Sequence, residues 1–360
     1  MNTLNLLSQK QNIRKTAFFI VFFVFIIFVF YSDMIKLAVN DSLKICASAI
    51  IPSLFPMLII SRIMNEIKIP DIILRFVKLP MNKIFGLSEN CFQAIFTGLT
   101  GGYPVGVKNA VALYKNNSIS LNEAQKLALF CVSPGFAFAV TLTGSCIFSN
   151  TGIGIRILIA NILADLTMAI LLKNNKNADL YKKKTAPIQK PFSVILADSI
   201  TESSSAIISI CAWICFFSAI ITLLCSFTKI TFIKNLIILF SEITNAVTLC
   251  AETKNILSAA FCCGFSGFCI IFQLLNDLNF LSVKISSFVF SRLFCAVVSV
   301  IYEWLIISIF PVTLQTAVQY KHIRLSKYSV IGSLALLFMC AVFIISSSNE
   351  KLKYSYDNKT

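Results

Sequence analysis

A helix-breaking stretch in the first third of the chain constrains its fold more than any other feature. Residues 98–109 read GLTGGYPVGVKN and hold four glycines and one proline in an apolar region. Glycine weakens a helix and proline removes a backbone hydrogen bond, so this stretch cannot continue a straight transmembrane helix. Non-helical backbone at membrane depth is tolerated only where protein buries it or where it lines a wet cavity. A second interrupted stretch (CGFSG, residues 263–267) follows half a chain later, and paired interruptions are typical of a transporter binding site.

The composition is that of a polytopic membrane protein with an all-α fold. Hydrophobic residues make up 57% of the 360 residues, and charged residues only 13%. The formal net charge of +15 lies mostly in loops and termini, which fits contact with anionic lipid and requires no nucleic-acid partner. Most of the 13 cysteines lie in apolar runs, no CxxC pair occurs and His322 is the one histidine. The sequence therefore predicts neither a metal site nor a cofactor.

Apolar runs of spanning length predict about seven to nine transmembrane segments. The uninterrupted runs cover about residues 17–38, 43–61, 127–148, 152–172, 203–225, 283–310 and 329–347. Two further runs, at 91–114 and 256–275, contain the glycine-rich breaks, and the stretches 67–86 and 232–250 read as interfacial or half-inserted. Basic residues precede the first run, so residues 1–38 predict an uncleaved signal anchor with a cytoplasmic N-terminus.

The positive-inside rule favours a re-entrant hairpin over a full crossing at 91–114. The lysine-rich loop at 173–191 should be cytoplasmic, and it reaches that side only if 91–114 folds back. The later basic segment around Lys321 also reaches the inside if 256–275 folds back. Both broken segments are therefore predicted to be re-entrant.

The two halves of the chain align as inverted repeats. A shift of 162 residues places Gly102 on Gly264. The helix at 43–61 then runs inward while its counterpart at 203–225 runs outward, as in many secondary transporters.

Two local signals follow the first break. Ser120 and Glu123 have the spacing of a capping box, which predicts a helix that starts there and runs through Phe130. The residues SPG at 133–135 then interrupt that helix. Both features leave free backbone groups that face one cavity.

The first break and the helix after it resemble the first Gate (nucleoside-recognition) repeat of the YlbJ-type sporulation integral membrane proteins. That family typically shows a glycine-tyrosine-proline-x-glycine-x-lysine stretch, then an acidic-alanine helix start and a Ser/Gly/Pro break. The matching positions are Gly102, Tyr103, Pro104, Gly106, Lys108, Glu123, Ala124 and Phe130. The order Ser-Pro-Gly at 133–135 departs from the family's usual Ser-Gly-Pro.

The second half is similar to the same family over two shorter stretches. SEITNAV at 241–247 is similar to a Glu-x-Thr-Asn-Gly motif, with Ala246 in the place of glycine. CGFSGFCIIFQ at 263–273 is similar to the break of the second repeat, with Ser266 where glycine is common. The resemblance spans about residues 40–310. It implies a bacterial plasma-membrane protein connected with endospore formation, with Gate domains related to those of nucleoside and ferrous-iron transporters.

On this resemblance the chain divides into six parts. They are a signal-anchor helix at 1–38, a first Gate-like repeat at 40–172, a basic cytoplasmic loop at 173–191, a second Gate-like repeat at 192–310, a basic loop with a C-terminal helix at 311–348, and a polar tail at 349–360.

Polar and helix-breaking residues around the breaks form the predicted substrate path. They are Gly102, Tyr103, Pro104, Gly106, Lys108, Asn109, Asp165, Glu242, Thr244, Asn245, Gly264, Ser266, Gly267 and Gln273. Asp165 can carry a proton or bind sodium, and its alternative is a structural hydrogen bond between helices. Lys108 either neutralises an anionic group or extends to the cytoplasmic interface. Arg292 is predicted to pair with another segment, because Glu303 lies three turns away on the same helix.

Structural alternatives stay open for the remaining candidates. The cluster of Glu242, Thr244 and Asn245 offers oxygen ligands for a cation or a sugar hydroxyl, or it forms a solvated interfacial face. Tyr103 either stacks on a ring-shaped ligand or packs in the core. Gln273 is expected only to end the second broken segment.

Two functions fit these features. The first is a membrane protein that moves or binds a small solute or ion through paired broken helices. The second is a non-transporting scaffold or assembly factor of spore formation, and either can form a homo-oligomer or bind sporulation membrane partners within the bilayer. The sequence contains no HExxH, GxSxG or Walker motif, so no enzymatic activity is predicted.

Overall fold

The structure is a computed structural model that describes residues 2–67, 69–173 and 191–310. In these ranges every regular element is helical, which confirms the all-α membrane fold. Most of the predicted basic loop, the segment around Lys321, the helix at 329–347 and the tail at 349–360 lie outside the described residues. The helices in the described ranges that are long and apolar enough to cross a membrane are Ser32–Glu66, Thr151–Leu171, Phe192–Phe227, Ile256–Gln273 and Ile285–Ile309.

The first half consists of α-helices and three π-helical segments. In order they are α1 (Asn2–Phe30), α2 (Ser32–Ile45), π1 (Cys46–Ile50), α3 (Ile51–Glu66), α4 (Asp71–Pro80), π2 (Met81–Phe85), α5 (Cys91–Gly101), α6 (Tyr103–Lys115), α7 (Leu121–Phe130), π3 (Ala137–Ile147) and α8 (Thr151–Leu171).

The second half repeats much of this order. Its helices are α9 (Phe192–Phe227), α10 (Thr231–Ser241), α11 (Ile243–Glu252), α12 (Ile256–Phe265), α13 (Gly267–Gln273), α14 (Leu275–Phe280) and α15 (Ile285–Ile309).

The first break forms the predicted helical hairpin. α5 and α6 pack antiparallel on either side of Gly102, because the Asn109 side chain donates to Thr97 Oγ1 at 2.6 Å and Gly98 lies against Gly106. We call α5 and α6 hairpin 1. Each helix is too short to cross a bilayer alone, so hairpin 1 has the form of a re-entrant element.

The capping box starts α7 as predicted. Ser120 Oγ accepts from the Glu123 backbone, and Glu123 Oε2 accepts from the Ser120 N–H at 2.8 Å. Glu123 Oε1 also accepts from the Ser88 N–H at 2.8 Å. One carboxylate therefore joins the start of α7 to the chain that leads into hairpin 1. We call α7, the interruption after it and π3 broken helix 1.

The described helices have two ends, which we name after Lys173 and Phe310. Lys173 follows α8, and its Nζ donates to the Lys83 carbonyl oxygen at 2.5 Å. Arg156, near the start of α8, donates through Nη1 to the Phe310 carbonyl oxygen at 3.1 Å. α15 therefore runs antiparallel to α8 and ends at the end opposite to Lys173. The side on which the basic segment around Lys321 lies depends on residues outside the described ranges, so it stays a prediction.

The second half also contains a hairpin, but it lies one segment earlier than predicted. α10 and α11 pack on each other with Glu242 between them, so the stretch read as interfacial at 232–250 folds back. We call α10 and α11 hairpin 2.

Residues 256–281 cross the bundle, so the prediction that 256–275 folds back is wrong. α12 packs along α15, and Gln125 in α7 donates to the Leu281 carbonyl oxygen at 2.8 Å, at the Lys173 end. Ser266 and Gly267 have φ values of +69° and +78°. These two left-handed residues interrupt the helix without reversing it. We call α12 and α13 broken helix 2.

Matching turns relate the two repeats. Each hairpin ends in a turn with a left-handed residue, Asn117 in the first repeat and Lys254 in the second. Each broken helix leads to another such turn, at Ser149 and at Ser282. Hairpin 1 therefore corresponds to hairpin 2, and broken helix 1 to broken helix 2.

The predicted shift of 162 residues does not hold beyond α3. The structure pairs the Gly102 tip with Glu242, and it pairs the break at 133–135 with Ser266 and Gly267. The reason is the insertion of α4 and π2, which has no counterpart between α9 and α10. α4 is amphipathic, and its exposed face carries apolar side chains such as Phe76.

Candidate functional site

Four chain interruptions meet in the middle of the described helices, one hairpin tip and one helix break from each repeat. In the first repeat, a Cβ atom on Gly135 would lie 2.7 Å from the Gly102 nitrogen. In the second, a Cβ atom on Gly267 would lie 3.2 Å from the Ser241 carbonyl oxygen and 3.5 Å from Glu242 Cα. Each tip therefore touches the break of its own repeat through the backbone, and these two contacts define the candidate site.

The tip of hairpin 1 consists of residues suited to a tight, buried turn. Gly102 has a φ of +89°, which favours glycine over residues with a Cβ atom. Pro104 lies in the first turn of α6, where its missing N–H leaves no helical bond unmade. The Tyr103 hydroxyl donates to the Cys263 carbonyl oxygen at 2.9 Å, and its ring packs edge-on against Phe138. Tyr103 thus ties the tip to broken helix 2 from within the core.

Gly106 lets hairpin 1 sit directly on the end of α7. A Cβ atom there would overlap the Cys131 carbonyl oxygen and lie 2.7 Å from the Cys131 sulfur. A Cβ atom on Gly98 would in turn lie 3.0 Å from Gly106 Cα. These two glycines therefore serve close packing of backbone on backbone.

The tip of hairpin 2 is a capped helix start. Glu242 is buried, and its two carboxylate oxygens accept from the N–H groups of Thr244 and Asn245, both at 2.9 Å. The Asn245 side chain donates to Ser218 Oγ on α9 at 3.0 Å, while Thr244 Oγ1 finds no hydrogen-bond partner among the described residues. Glu242 is thus held by its own helix, and Thr244 is the member of this cluster with a free buried oxygen.

The break in broken helix 2 packs tightly against α15. A Cβ atom on Gly264 would lie 2.7 Å from Ala296 Cα, so glycine allows the two helices to touch. Ser266 is fully buried at the left-handed turn, and its Oγ donates to the Phe265 carbonyl oxygen. Gln273 lies at the far end of α13, away from the tips, and its buried Oε1 accepts no hydrogen bond from any described residue.

Asp165 lies beside the break in broken helix 1. Its Oδ1 is 3.6 Å from Arg292 Nη1 on α15, which confirms that Arg292 pairs with another segment. Arg292 is fully buried and also donates to the carbonyl oxygens of Val132 at 2.6 Å and Leu129 at 2.5 Å. These carbonyls lie where α7 ends, so Arg292 caps the broken helix and pairs with Asp165 at the same time. In the part of the chain that the structure describes, Asp165 Oδ2 has no hydrogen-bond partner.

A second buried ion pair mirrors the first. Arg156 Nη2 on α8 lies 3.5 Å from Glu303 Oε1 on α15. Arg156 precedes Asp165 on α8, and Arg292 precedes Glu303 on α15. The first charged residue of each helix therefore pairs with the second charged residue of the other. A two-fold axis between antiparallel α8 and α15 produces this reciprocal pattern. The sequence reading missed Arg156, although an arginine inside a spanning apolar run is itself a signal.

Lys108 and Asn109 lie toward the open end of hairpin 1 and not at its tip. Asn109 is buried and binds Thr97 across the hairpin. Lys108 and Lys115 act on Asp277 in the short helix α14. Burial raises the pKa of the Asp277 carboxyl, and the two lysines oppose that rise. Lys108 therefore interacts with an acid of the second repeat near the Lys173 end.

Two polar cavities lie beside the hairpins, one at each end. The Lys173-end cavity, of about 80 Å³, is lined by α3, hairpin 1 and the start of α9, including Arg62, Gln93, Asn109 and Glu202. The Phe310-end cavity, of about 270 Å³, is lined by α2, hairpin 2 and the last third of α9, with Asp41, Ser218, Asn245, Thr248 and Glu252 among its residues. Each cavity is thus enclosed by one of the helices α2 and α3, by one hairpin and by one end of α9, and the two cavities lie at opposite ends of the described helices. No three His, Cys, Asp or Glu side chains converge on a metal site anywhere in the described ranges.

The chain is similar to a curated bacterial protein over most of its length. It is 25% identical over 315 residues to the sporulation integral membrane protein YlbJ of Bacillus subtilis (strain 168), which covers 75% of this chain and 76% of YlbJ. This match confirms the YlbJ-type resemblance. No family model matches the chain, and no solved structure matches it.

The YlbJ-type motif residues occupy distinct places in the structure. Gly102, Tyr103 and Pro104 build the tip of hairpin 1, and Gly106 packs that hairpin against broken helix 1. Glu123 anchors the start of α7. The motif residues therefore form the tip of hairpin 1, its packing contact with broken helix 1 and the start of α7.

Proposed function

We propose that this YlbJ-type membrane protein moves a small polar solute across the bacterial plasma membrane by alternating access between its two repeats. One observation carries the proposal: a hairpin tip and a helix break from each repeat meet centrally, in opposite orientation, between two polar cavities. Interrupted helices at such a place expose backbone groups and helix ends that can hold a solute. The cavities differ in size, about 80 Å³ at the Lys173 end and about 270 Å³ at the Phe310 end. A structure in which the Phe310-end cavity is the larger one fits the state of an alternating-access cycle that is more open at that end.

The orientation follows from charge. The loop that begins at Lys173 is rich in lysine, so the Lys173 end faces the cytoplasm under the positive-inside rule. α1 ends next to the start of α2, at the Phe310 end, and its apolar part is Phe18–Phe30. A cytoplasmic N-terminus, as proposed, requires α1 to cross back to the Lys173 end.

A scaffold or assembly factor of spore formation is the second candidate function, because the YlbJ relative is named for sporulation and not for a solute. In a scaffold the two cavities are independent features of a fixed fold. In a transporter they are coupled, because opening one closes the other. Coupling between the cavities therefore separates the two functions without knowledge of the solute.

The test uses two introduced cysteines in a background that lacks the native ones. Ala112→Cys reports on the Lys173-end cavity, and Thr248→Cys lies in the Phe310-end cavity. A bulky maleimide on Thr248→Cys should wedge the Phe310-end cavity open and slow the labelling of Ala112→Cys several-fold. The matched control places the same adduct on Thr253→Cys, an exposed turn residue just beyond α11.

Equal labelling rates for Ala112→Cys with the cavity adduct and with the control adduct would rule out alternating access. The orientation is checked in intact cells with an impermeant thiol reagent. Thr253→Cys should be labelled from outside, whereas Asn117→Cys, at the turn after hairpin 1, should be protected. The reverse pattern would contradict the orientation.

A further inference from the structure

Glu303 is a fully buried acid on α15. Neither of its carboxylate oxygens has a hydrogen-bond partner among the residues that the structure describes. Its nearest cation is Arg156 Nη2 at 3.5 Å, a distance longer than a well-formed charge-assisted hydrogen bond. The two carboxylate oxygens are therefore desolvated and satisfied only by a loose ion pair.

The partner arginine is also incompletely bound. Arg156 donates through Nη1 to the Phe310 carbonyl oxygen, while its Nε and Nη2 atoms have no hydrogen-bond partner within the described ranges. The symmetry-related Arg292 differs, because two carbonyl oxygens at the end of α7 hold it in place. The two mirrored ion pairs have similar lengths, 3.5 Å and 3.6 Å, but Arg156 is held by one carbonyl oxygen and Arg292 by two.

A desolvated carboxylate in this position favours the neutral form. Burial of an ionised group without hydrogen bonds is costly, and a loose ion pair offsets that cost poorly. Proton binding removes the charge and supplies an O–H donor. Intramembrane acids of this kind are typical of proton relays.

Among the described residues, Arg156 is the charge that closely opposes protonation of Glu303. From α12, Cys263 faces it as a neutral thiol within electrostatic range. From α8, Asp165 is engaged with Arg292, three turns of α15 away from Glu303. The charged residues of α7, Glu123 and Lys126, lie in its first two turns toward the Lys173 end.

We propose that Glu303 is a proton-binding site that couples proton uptake to movement of α15 against α8. Protonation adds one proton from water to one carboxylate oxygen and leaves Arg156 with the Phe310 carbonyl as its partner. The ion pair that joins α8 and α15 at the Phe310 end is then lost. The Asp165–Arg292 pair still joins the two helices near broken helix 1. Proton binding stands on the geometry of Glu303, whereas the coupling rests on the proposed transport function.

The test is infrared difference spectroscopy of the full chain reconstituted in lipid, recorded during a pH titration. A protonated buried carboxyl gives a C=O band that is separate from carboxylate bands. Wild type should gain this band as the pH falls, and Glu303→Gln should lose the part of it that Glu303 contributes, while any contribution of buried Asp165 and Glu242 stays. Glu202→Gln, which alters an acid that is 58% exposed and paired with Arg62, should leave the band unchanged. A band of the same intensity in Glu303→Gln and wild type would overturn the proposal.

A second variant keeps the test decisive if Glu303→Gln does not fold. Arg156→Gln removes the opposing positive charge, so the midpoint of the band should move up by about one to three pH units. An unchanged midpoint would overturn the proposal, as would a band that sodium displaces at constant pH. A titrating Glu303 together with uncoupled cavities in the cysteine experiment would refute transport while proton binding stands.

Discussion

Replacement of Arg292 by methionine should be among the most damaging single changes in the described part of the chain. The guanidinium is fully buried, lies 3.6 Å from Asp165 and caps the carbonyl oxygens of Val132 and Leu129. Methionine fills most of the same volume without the charge or the donors. The variant therefore isolates the electrostatic and hydrogen-bonding contributions from simple loss of packing.

The expected cost follows from what Arg292→Met leaves behind. An uncompensated buried Asp165 costs about 3–5 kcal/mol. Each of the two carbonyl oxygens loses a charged donor, which adds about 1 kcal/mol or more. We expect the free energy of unfolding to fall by about 5–7 kcal/mol, measured by SDS titration in mixed micelles.

A double variant tests the reasoning more sharply than the single one. Adding Asp165→Asn to Arg292→Met removes the stranded charge, so the pair should regain about 2–3 kcal/mol. The control is Arg62→Met, because Arg62 pairs with the largely exposed Glu202 at 2.8 Å and should cost under about 1 kcal/mol. A loss below about 1.5 kcal/mol in Arg292→Met, or no recovery in the double variant, would refute a buried charge pair at this position.

Two further changes test how hairpin 1 is seated. Gly106→Ala should destabilise the protein by about 3 kcal/mol, because its Cβ atom would overlap the backbone oxygen of Cys131, while Gly152→Ala should be near neutral since its Cβ atom meets only a side-chain oxygen at 3.1 Å. Equal losses in the same SDS titration would contradict the close approach of α6 and α7. Tyr103→Phe should cost about 1–2 kcal/mol, because the buried Cys263 carbonyl oxygen loses its donor. A loss in Tyr103→Phe no larger than the scatter between replicates would show that this hydrogen bond does not hold the tip.

The break at Gly102 was predictable because glycine and proline limit the backbone locally. Four glycines and a proline in one apolar stretch are incompatible with a straight transmembrane helix. The lysine-rich loop, if cytoplasmic, also limits how many times the preceding chain can cross the membrane. The capping box at Ser120 and Glu123 is equally local, since its two hydrogen bonds join residues three apart. Such features need no knowledge of the rest of the fold.

The second hairpin was not predictable from the same kind of signal. Its tip is Glu242, and a buried glutamate that caps its own helix looks in sequence like a polar interfacial residue. The glycines at 264 and 267 suggested a hairpin tip, yet Gly264 serves contact with α15 and Gly267 a kink. Glycine patterns do not distinguish a reversal of the chain from a close approach to another helix.

The ion pairs between α8 and α15 could not be predicted from the sequence either. Asp165 stood out because it is an acid in a spanning run, but its partner Arg292 and the mirrored pair of Arg156 with Glu303 depend on the antiparallel contact of α8 and α15. That contact joins residues from different repeats. Long-range pairing of this kind follows from the tertiary arrangement and has no local signature in the chain.

The reciprocal ion pairs also set an order of assembly during synthesis. α8 enters the bilayer with Arg156 and Asp165, and both of their partners lie on α15, one repeat later. An isolated charge costs up to about 3 kcal/mol at the bilayer centre, and less toward a helix end, until it is paired. A ribosome that has completed only the first repeat therefore presents a helix with two unmatched charges. The first repeat is thus an unfinished folding intermediate, which the insertion machinery must shield until α15 arrives.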